Sequence, residues 1–178
     1  KLRNLLKNKN LKFPLVIKPN NEGSSIGVRI SRSFISLQKN IQFLLKTYDT
    51  LMIENFIGGQ EVQAAVLNGK PLGAIELKPR RKFYDYKAKY SKSANTNHIM
   101  PANISKKKYL EVLNIAKRAH RILKCRGVTR SDFKLFNNKF YLLETNTQPG
   151  MTSLSLVPEI AEYKKISFDS LIKKILLD

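Results

Sequence analysis

A single cysteine, Cys125, stands among the 178 residues, so no internal disulfide can form and no cysteine-based zinc cluster is available. That usage suits a reducing cytoplasm, which is the expected location. No apolar run approaches the ~18–20 residues that a membrane-spanning helix needs. Residues 1–12 are basic and polar, without the apolar stretch of a secretory signal. Acidic residues are scarce, 13 Asp and Glu against 33 Lys and Arg, which leaves a formal net charge of +20. The first residue is Lys1 and not Met, so a piece of a longer chain is expected. What is present is a globular composition, 42% hydrophobic and 26% charged. The length suffices for one domain core or for two small lobes sharing a cleft.

The positive charge raises the question of nucleic acid. The excess is spread along the chain, with Arg80-Arg81-Lys82 and Lys106-Lys107-Lys108 as its tight clusters. A nucleic-acid protein more often gathers charge on one face and interleaves aromatics for stacking. Lysine also outnumbers arginine, the reverse of what bidentate phosphate or base recognition favours. The expectation is a solvated lysine-rich surface and no specific nucleic-acid partner.

Hydrophobic patterning gives mixed elements. Phe13–Lys18 reads as a buried strand, 21–27 as a small-residue turn, and Val28–Ile30 as a brief strand. Ser33 caps a helix over Phe34–Tyr48, with Leu37, Ile41 and Leu44/Leu45 on one face. Leu51–Glu54, Glu61–Leu67 and Leu72–Leu77 are strand-like, and Asn68-Gly69 is a strong hairpin signal because both residues tolerate positive φ. Residues 78–101 are polar, basic and aromatic with little periodicity, and read as a long loop. Ser105 caps a further helix, Val128–Phe136 and Phe140–Glu144 form a hairpin around Asn137-Asn138, and helices close the chain near Pro158–Tyr163 and Ser167–Leu177. The class is α+β.

Neither a P-loop nor a dinucleotide-binding glycine fingerprint occurs. Instead, a strand ends in Lys18 and runs into a loop with Gly23, Ser24, Ser25 and Gly27. Such a loop can turn successive backbone N–H groups toward an anion, or it can simply join two strands. Asp132 on one strand, with Glu144 and Asn146 on its hairpin partner, offers the oxygen donors that Mg²⁺ takes together with phosphate. The alternative is a set of ordinary exposed strand residues, although Phe133, Leu142 and Leu143 suggest a buried ladder in which an unpaired carboxylate is costly. Arg130 shares a face with Asp132 and could pair with a carboxylate or stabilise developing negative charge. Tyr84, Tyr86 and Tyr90, with Lys87 and Lys89, suit either a closing lid or an exposed basic loop. The stretch 150–156 runs into a helix start, where free N–H groups bind carboxylates. Cys125 reads as core, and His98 and His120 as surface or structural residues.

Several of these stretches together resemble the ATP-grasp portion of the D-alanine–D-alanine ligase family. They are Phe-Pro-Leu-Val-Ile-Lys-Pro (13–19), Glu-Gly-Ser-Ser-Ile-Gly (22–27), Phe-Tyr-Asp-Tyr-Lys-Ala-Lys-Tyr (83–90) and Gly-Val-Thr-Arg-Ser-Asp (127–132). The longest is Leu-Leu-Glu-Thr-Asn-Thr-Gln-Pro-Gly-Met-Thr-Ser-Leu-Ser-Leu-Val-Pro (142–158), whose second half is characteristic of this ligase. The resemblance implies an ATP-grasp fold of two small α+β lobes clasping the nucleotide. Residues 1–12 would be a linker or helix tail, 13–72 the small lobe, and 73–178 the large lobe with a lid loop at 78–101.

The resemblance also implies roles. Lys18 and Lys89 would contact phosphates, Glu54 the adenine and Glu61 the ribose, with Phe56, Ile57 and Leu143 lining the base pocket. Asp132, Glu144 and Asn146 would hold a pair of Mg²⁺ ions, or Mn²⁺ in their place. Arg130 and the Gly150 N–H would stabilise the tetrahedral intermediate, and Ser155 and Leu156 would receive the second substrate's carboxylate. Ser24 and Tyr90 would join a network completed by a glutamate of the family's N-terminal domain, which these residues do not include. The implied reaction joins two D-alanines at the expense of ATP, through an acyl-phosphate, for peptidoglycan. ATP, D-alanine and that N-terminal domain are the expected partners, with room for a homodimer and no membrane. The isolated segment is expected to bind Mg·ATP without being competent for ligation.

Departures are few. Asn55 stands where a lysine commonly contacts adenine, Leu154 replaces a frequent histidine, and Lys87 takes a position that is often acidic. Two other readings stay open: a different ATP-grasp carboxylate–amine ligase with other acceptors, and a basic nucleic-acid-binding module.

Overall fold

The computed structural model describes residues 1–23, 25–79 and 96–178. Among these, residues 1–57 form one compact unit and residues 58–79 with 96–178 form another.

The first unit opens with helix α1 (Leu2–Asn8), followed by β1 (Leu15–Pro19), β2 (Arg29–Ser31), α2 (Phe34–Leu44) and β3 (Leu51–Asn55). Its sheet is antiparallel in the order β2-β1-β3. Period-two alternation sends Leu15 and Ile17 of β1 inward, where they meet Leu6, Leu37 and Leu44 in a buried cluster. Each such side chain contributes roughly 1.5–3 kcal/mol on full burial. The alternation leaves Val16 and Lys18 on the other face, beside their β3 partners Glu54 and Met52. Ser33 caps α2 through a reciprocal pair with Ser36, as its position predicts. The helix proper ends at Leu44, short of the expected Tyr48, and the chain continues as a turn in which the amides of Thr47 and Tyr48 both donate to the Leu44 carbonyl. Gly27 is required at its turn: its φ is +70°, and a Cβ would lie 2.7 Å from Pro19 Cγ.

The second unit is built on a five-stranded antiparallel sheet of β4 (Gln60–Leu67), β5 (Lys70–Pro79), β6 (Thr96–Ile99), β7 (Val128–Phe136) and β8 (Lys139–Asn146). The order is β6-β5-β4-β7-β8. Helix α3 (Lys106–Ile122), capped by Ser105, lays Val112 and Ala116 on Val62, Ala64, Val66, Ala74, Phe133 and Phe140. Phe133 and Phe140 meet edge to face, with centroids 5.9 Å apart. The chain closes with α4 (Leu156–Tyr163) and α5 (Phe168–Leu176). At α4 a Cβ on Gly73 would fall 2.9 Å from Ile160, so only glycine lets β5 approach this helix.

Two expectations need correction. A boundary at residue 72 would cut β5, since the Asn68-Gly69 turn joins β4 and β5 within one sheet and the division falls after Ile57. The segment 78–101 is not wholly loop: β5 runs to Pro79, and Thr96–Ile99 forms an edge strand paired His98 to Leu77. Backbone pairing to β5 makes that short polar run a strand, and a hydrophobic pattern cannot reveal it.

Candidate active site

The β7–β8 register assembles the acidic part of the site. Asp132 lies opposite Glu144, and Arg130 opposite Asn146. Because alternate residues share a face, these four side chains form a two-by-two patch on the sheet surface away from α3. Arg130 donates from Nε to Asp132 Oδ1 at 2.8 Å and from Nη2 to Oδ2 at 3.1 Å. Asp132 is only 5% exposed, and this two-pronged bond offsets the cost of burying its charge. Glu144 is exposed. The expected buried ladder is therefore half right: Phe133 is buried, but Leu142 and Leu143 are 44% and 38% exposed. A bulge after Asp132 leaves Leu143 out of the pairing on this outer strand.

The donor set suits a hard cation. Among the described residues, Asn146 Nδ2 and Gln63 Oε1 are the buried side-chain polar atoms with no partner, and both sit on this face. The Asn146 amide also carries Oδ1, an oxygen of the kind a hard cation takes. No cluster of three His, Cys, Asp or Glu side chains occurs among the described residues. Two carboxylates and an amide oxygen suit Mg²⁺, which completes its octahedron with water and phosphate. On β4, two residues from Gln63, Glu61 receives Lys134 Nζ at 2.8 Å, a partner that sequence reasoning did not single out.

In the first unit, Lys18 donates to Glu54 Oε1 at 2.8 Å, a diagonal pair across β1 and β3. Sequence reasoning named both residues and the register brings them together. The 21–27 turn differs from the expected cradle: the Ile26 and Val28 amides donate to the Gly23 and Ser25 carbonyls, so these two N–H groups are spent within the turn. Phe56 and Ile57 are half-buried after β3, and the Phe56 amide donates to Pro14. Asn55 is held by its own chain, since its Oδ1 accepts from the Lys12 amide at 2.9 Å.

The loop before α4 is tightly folded. A Cβ on Gly150 would meet Ser155 Oγ at 2.8 Å. Ser155 occupies the N-cap of α4, but its Oγ bonds the Thr152 amide and hydroxyl and gives no side-chain cap. The first N–H groups of α4, beginning at Leu156, are thus left for another acceptor. Ser24, Lys89 and Tyr90 lie outside the described residues, as do Tyr84, Tyr86 and Lys87.

The two histidines are structural in different ways. His98 meets Glu159 of α4 at 2.6 Å. His120 is buried with Nδ1 2.9 Å from Thr129 Oγ1, and burial lowers its pKa against smaller raising effects of Asp178 and the Cys125 backbone. Cys125 is half-buried, not in the core.

Residues 3–177 match the family model described as D-ala D-ala ligase C-terminus. The D-alanine–D-alanine ligase of Pelagibacter ubique is 59% identical over 170 residues, 96% of this chain and 55% of that protein. The chain belongs to the D-alanine–D-alanine ligase family. It spans about half the length of the curated relatives it matches. The ligase of Bacillus anthracis, solved in complex with ATP, superposes with a TM-score of 0.81 at 26% identity, covering 96% of this chain and 53% of that one. The VanG D-Ala:D-Ser ligase of Enterococcus faecalis gives 0.84 at 28% identity, covering 98% and 51%. The fold is thus the ATP-grasp fold that these ligases share, α+β as expected. No described helix is long and apolar enough to cross a membrane.

Proposed function

We propose that this chain is the nucleotide- and ion-binding part of a cytoplasmic ligase that joins two D-alanines with ATP. The observation that carries the reading is the β7–β8 register, which gathers Arg130, Asp132, Glu144 and Asn146 on one sheet face. Asp132, Glu144 and Asn146 would hold Mg²⁺ there, and Mn²⁺ suits the same oxygens. When bound, the ion would supply positive charge to offset that of the phosphates.

The chain's own residues do the rest. Lys18 supplies a charge to the phosphates and Glu54 an acceptor to the base, so their mutual 2.8 Å bond holds both side chains in place before nucleotide arrives. Glu61 takes the ribose hydroxyls, with Phe56, Ile57 and Leu143 around the base. Lys89 belongs to the transferred phosphoryl group, and Ser24 and Tyr90 to the network around the first D-alanine. A carboxylate oxygen of that D-alanine attacks the γ-phosphorus, and ADP leaves. The amine of the second D-alanine, having lost a proton, attacks the acyl-phosphate carbonyl, and phosphate leaves. Arg130 and the Gly150 N–H stabilise the oxyanion formed when the amine adds and before phosphate leaves. The free N–H groups of the first turn of α4, beginning at Leu156 beside Ser155, anchor the acceptor's carboxylate.

Residues of the family's N-terminal domain would complete the first-substrate site, and a homodimer is compatible with this arrangement. The test is a product assay of the complete ligase with ATP and labelled D-alanine, D-serine or other amines. D-Alanyl-D-alanine as the main product supports the proposal. A mixed dipeptide would place the chain with ligases of other acceptors, as the likeness to VanG allows.

A further inference from the structure

We propose that Gln63 is a positioning residue of the ion-binding face, its Oε1 accepting a hydrogen bond from a water carried by the ion at Asp132 and Glu144. The proposal rests on the reading of that face given above and adds a residue to it.

Gln63 is 1% exposed and lies opposite Asp132 across the β4–β7 pairing. Its neighbours on the same face of β4 are Glu61, two residues earlier, and Ala65, two residues later. Glu61 is satisfied by Lys134, and Ala65 has nothing to satisfy. Gln63 Oε1 has no partner among the described residues. A buried carbonyl without a donor is destabilising, and an apolar side chain of the same length would not carry that cost. A glutamine at this point therefore needs a donor that arrives with a ligand.

The chemistry of the face says which donor. Mg²⁺ dehydrates reluctantly and keeps several waters, and those waters can only donate to the protein. Asp132 and Glu144 are engaged as ligands, so a neutral amide oxygen beside Asp132 is the acceptor that such a water lacks. The second unpartnered atom of the described residues belongs to Asn146, on the far side of the same patch. The two orphaned amides thus flank the carboxylates. An outer partner such as Gln63 orients an ion's ligands and commonly changes its affinity by roughly tenfold or more.

The experiment is calorimetric titration of Mn²⁺ into the protein saturated with a non-hydrolysable ATP analogue, with thermal melting of the ion-free protein beside it. Gln63→Leu should weaken Mn²⁺ by roughly tenfold, while the ion-free protein melts no lower than wild type. Gln63→Glu, which keeps an acceptor oxygen in place, should bind Mn²⁺ at least as tightly as wild type. Gln63→Leu with wild-type Mn²⁺ affinity would overturn the proposal, as would loss of affinity in Gln63→Glu without loss of fold. Absence of Mn²⁺ binding by the folded wild-type protein would instead refute the ion-site reading itself, and this inference with it.

Discussion

Arg130 holds Asp132 by two nearly parallel hydrogen bonds, at 2.8 and 3.1 Å, between residues two apart on one strand. An ion bound at Asp132 must share the carboxylate with this guanidinium or displace it. A displaced Arg130 would be delivered to the reacting groups at the moment the ion takes over its former partner. On the proposed reading, the pair stabilises a buried carboxylate when no ion is present and would supply a cation when one is.

Replacing Arg130 with Met should lower stability by about 1.5–3 kcal/mol, the usual range for hydrogen bonds to a charged group. Urea denaturation of the ion-free protein measures it. Saturating Mg²⁺ and nucleotide should recover part of the loss, because the ion replaces the missing charge. No loss of stability would mean that Asp132 does not depend on this contact.

Glu144→Gln should leave the fold intact, since Glu144 is exposed on an outer strand. It should abolish metal-dependent phosphoryl transfer in the complete ligase, because a neutral amide cannot balance the ion's charge. Circular dichroism checks the first part and ADP release the second. Near-normal turnover would remove Glu144 from the metal site.

Lys18→Ala should weaken nucleotide binding by about 1.5–3 kcal/mol through loss of a charge-assisted phosphate contact. Glu54→Gln should cost less, since the lysine keeps its charge and the amide keeps an acceptor oxygen for the base. Calorimetry with the ATP analogue distinguishes the two. An equal or reversed ranking would count against a phosphate role for Lys18.

The burial-lowered pKa of His120 gives a signed pH effect. The folded protein protonates this imidazole less readily than the unfolded chain, which does so below the ordinary value of about 6.5. Stability contributed by this site is full above that value and is lost as pH falls through it. Urea midpoints for wild type should therefore drop more steeply between about pH 7.5 and 5.5 than those of His120→Asn. Parallel profiles would show that His120 does not titrate differently in the two states.

Much of this was legible in the sequence. Ser33 and Ser105 were readable as caps and Asn68-Gly69 as a turn, because local backbone chemistry sets those positions. Asp132, Glu144 and Asn146 were readable as one group, because a hairpin with period-two alternation permits few registers. The bulge after Asp132 was not, since it arises from how two strands accommodate each other. Nor was the role of Gln63. A glutamine within Glu-Val-Gln-Ala-Ala looks like any polar strand position until pairing sets it against Asp132 and burial removes its water. Lys134 as the partner of Glu61 was hidden for the same reason, being 73 residues away.

Residues 1–178 alone should bind Mg·ATP but make little dipeptide. Holding two reactants in near-attack geometry is worth roughly 7–11 kcal/mol, and the anchor for the first D-alanine belongs, on the proposed reading, to the family's N-terminal domain. Adding the N-terminal domain of the ligase, fused or separate, should restore synthesis where it docks. Robust synthesis by residues 1–178 would show that they carry a first-substrate site of their own.

The most direct measurement is D-alanine-dependent phosphate release by the complete ligase, followed together with its dipeptide product. The expected result is one ADP, one phosphate and one D-alanyl-D-alanine per turnover, with all three lost in Asp132→Asn. Folded, nucleotide-bound protein that releases no phosphate in response to D-alanine would contradict it.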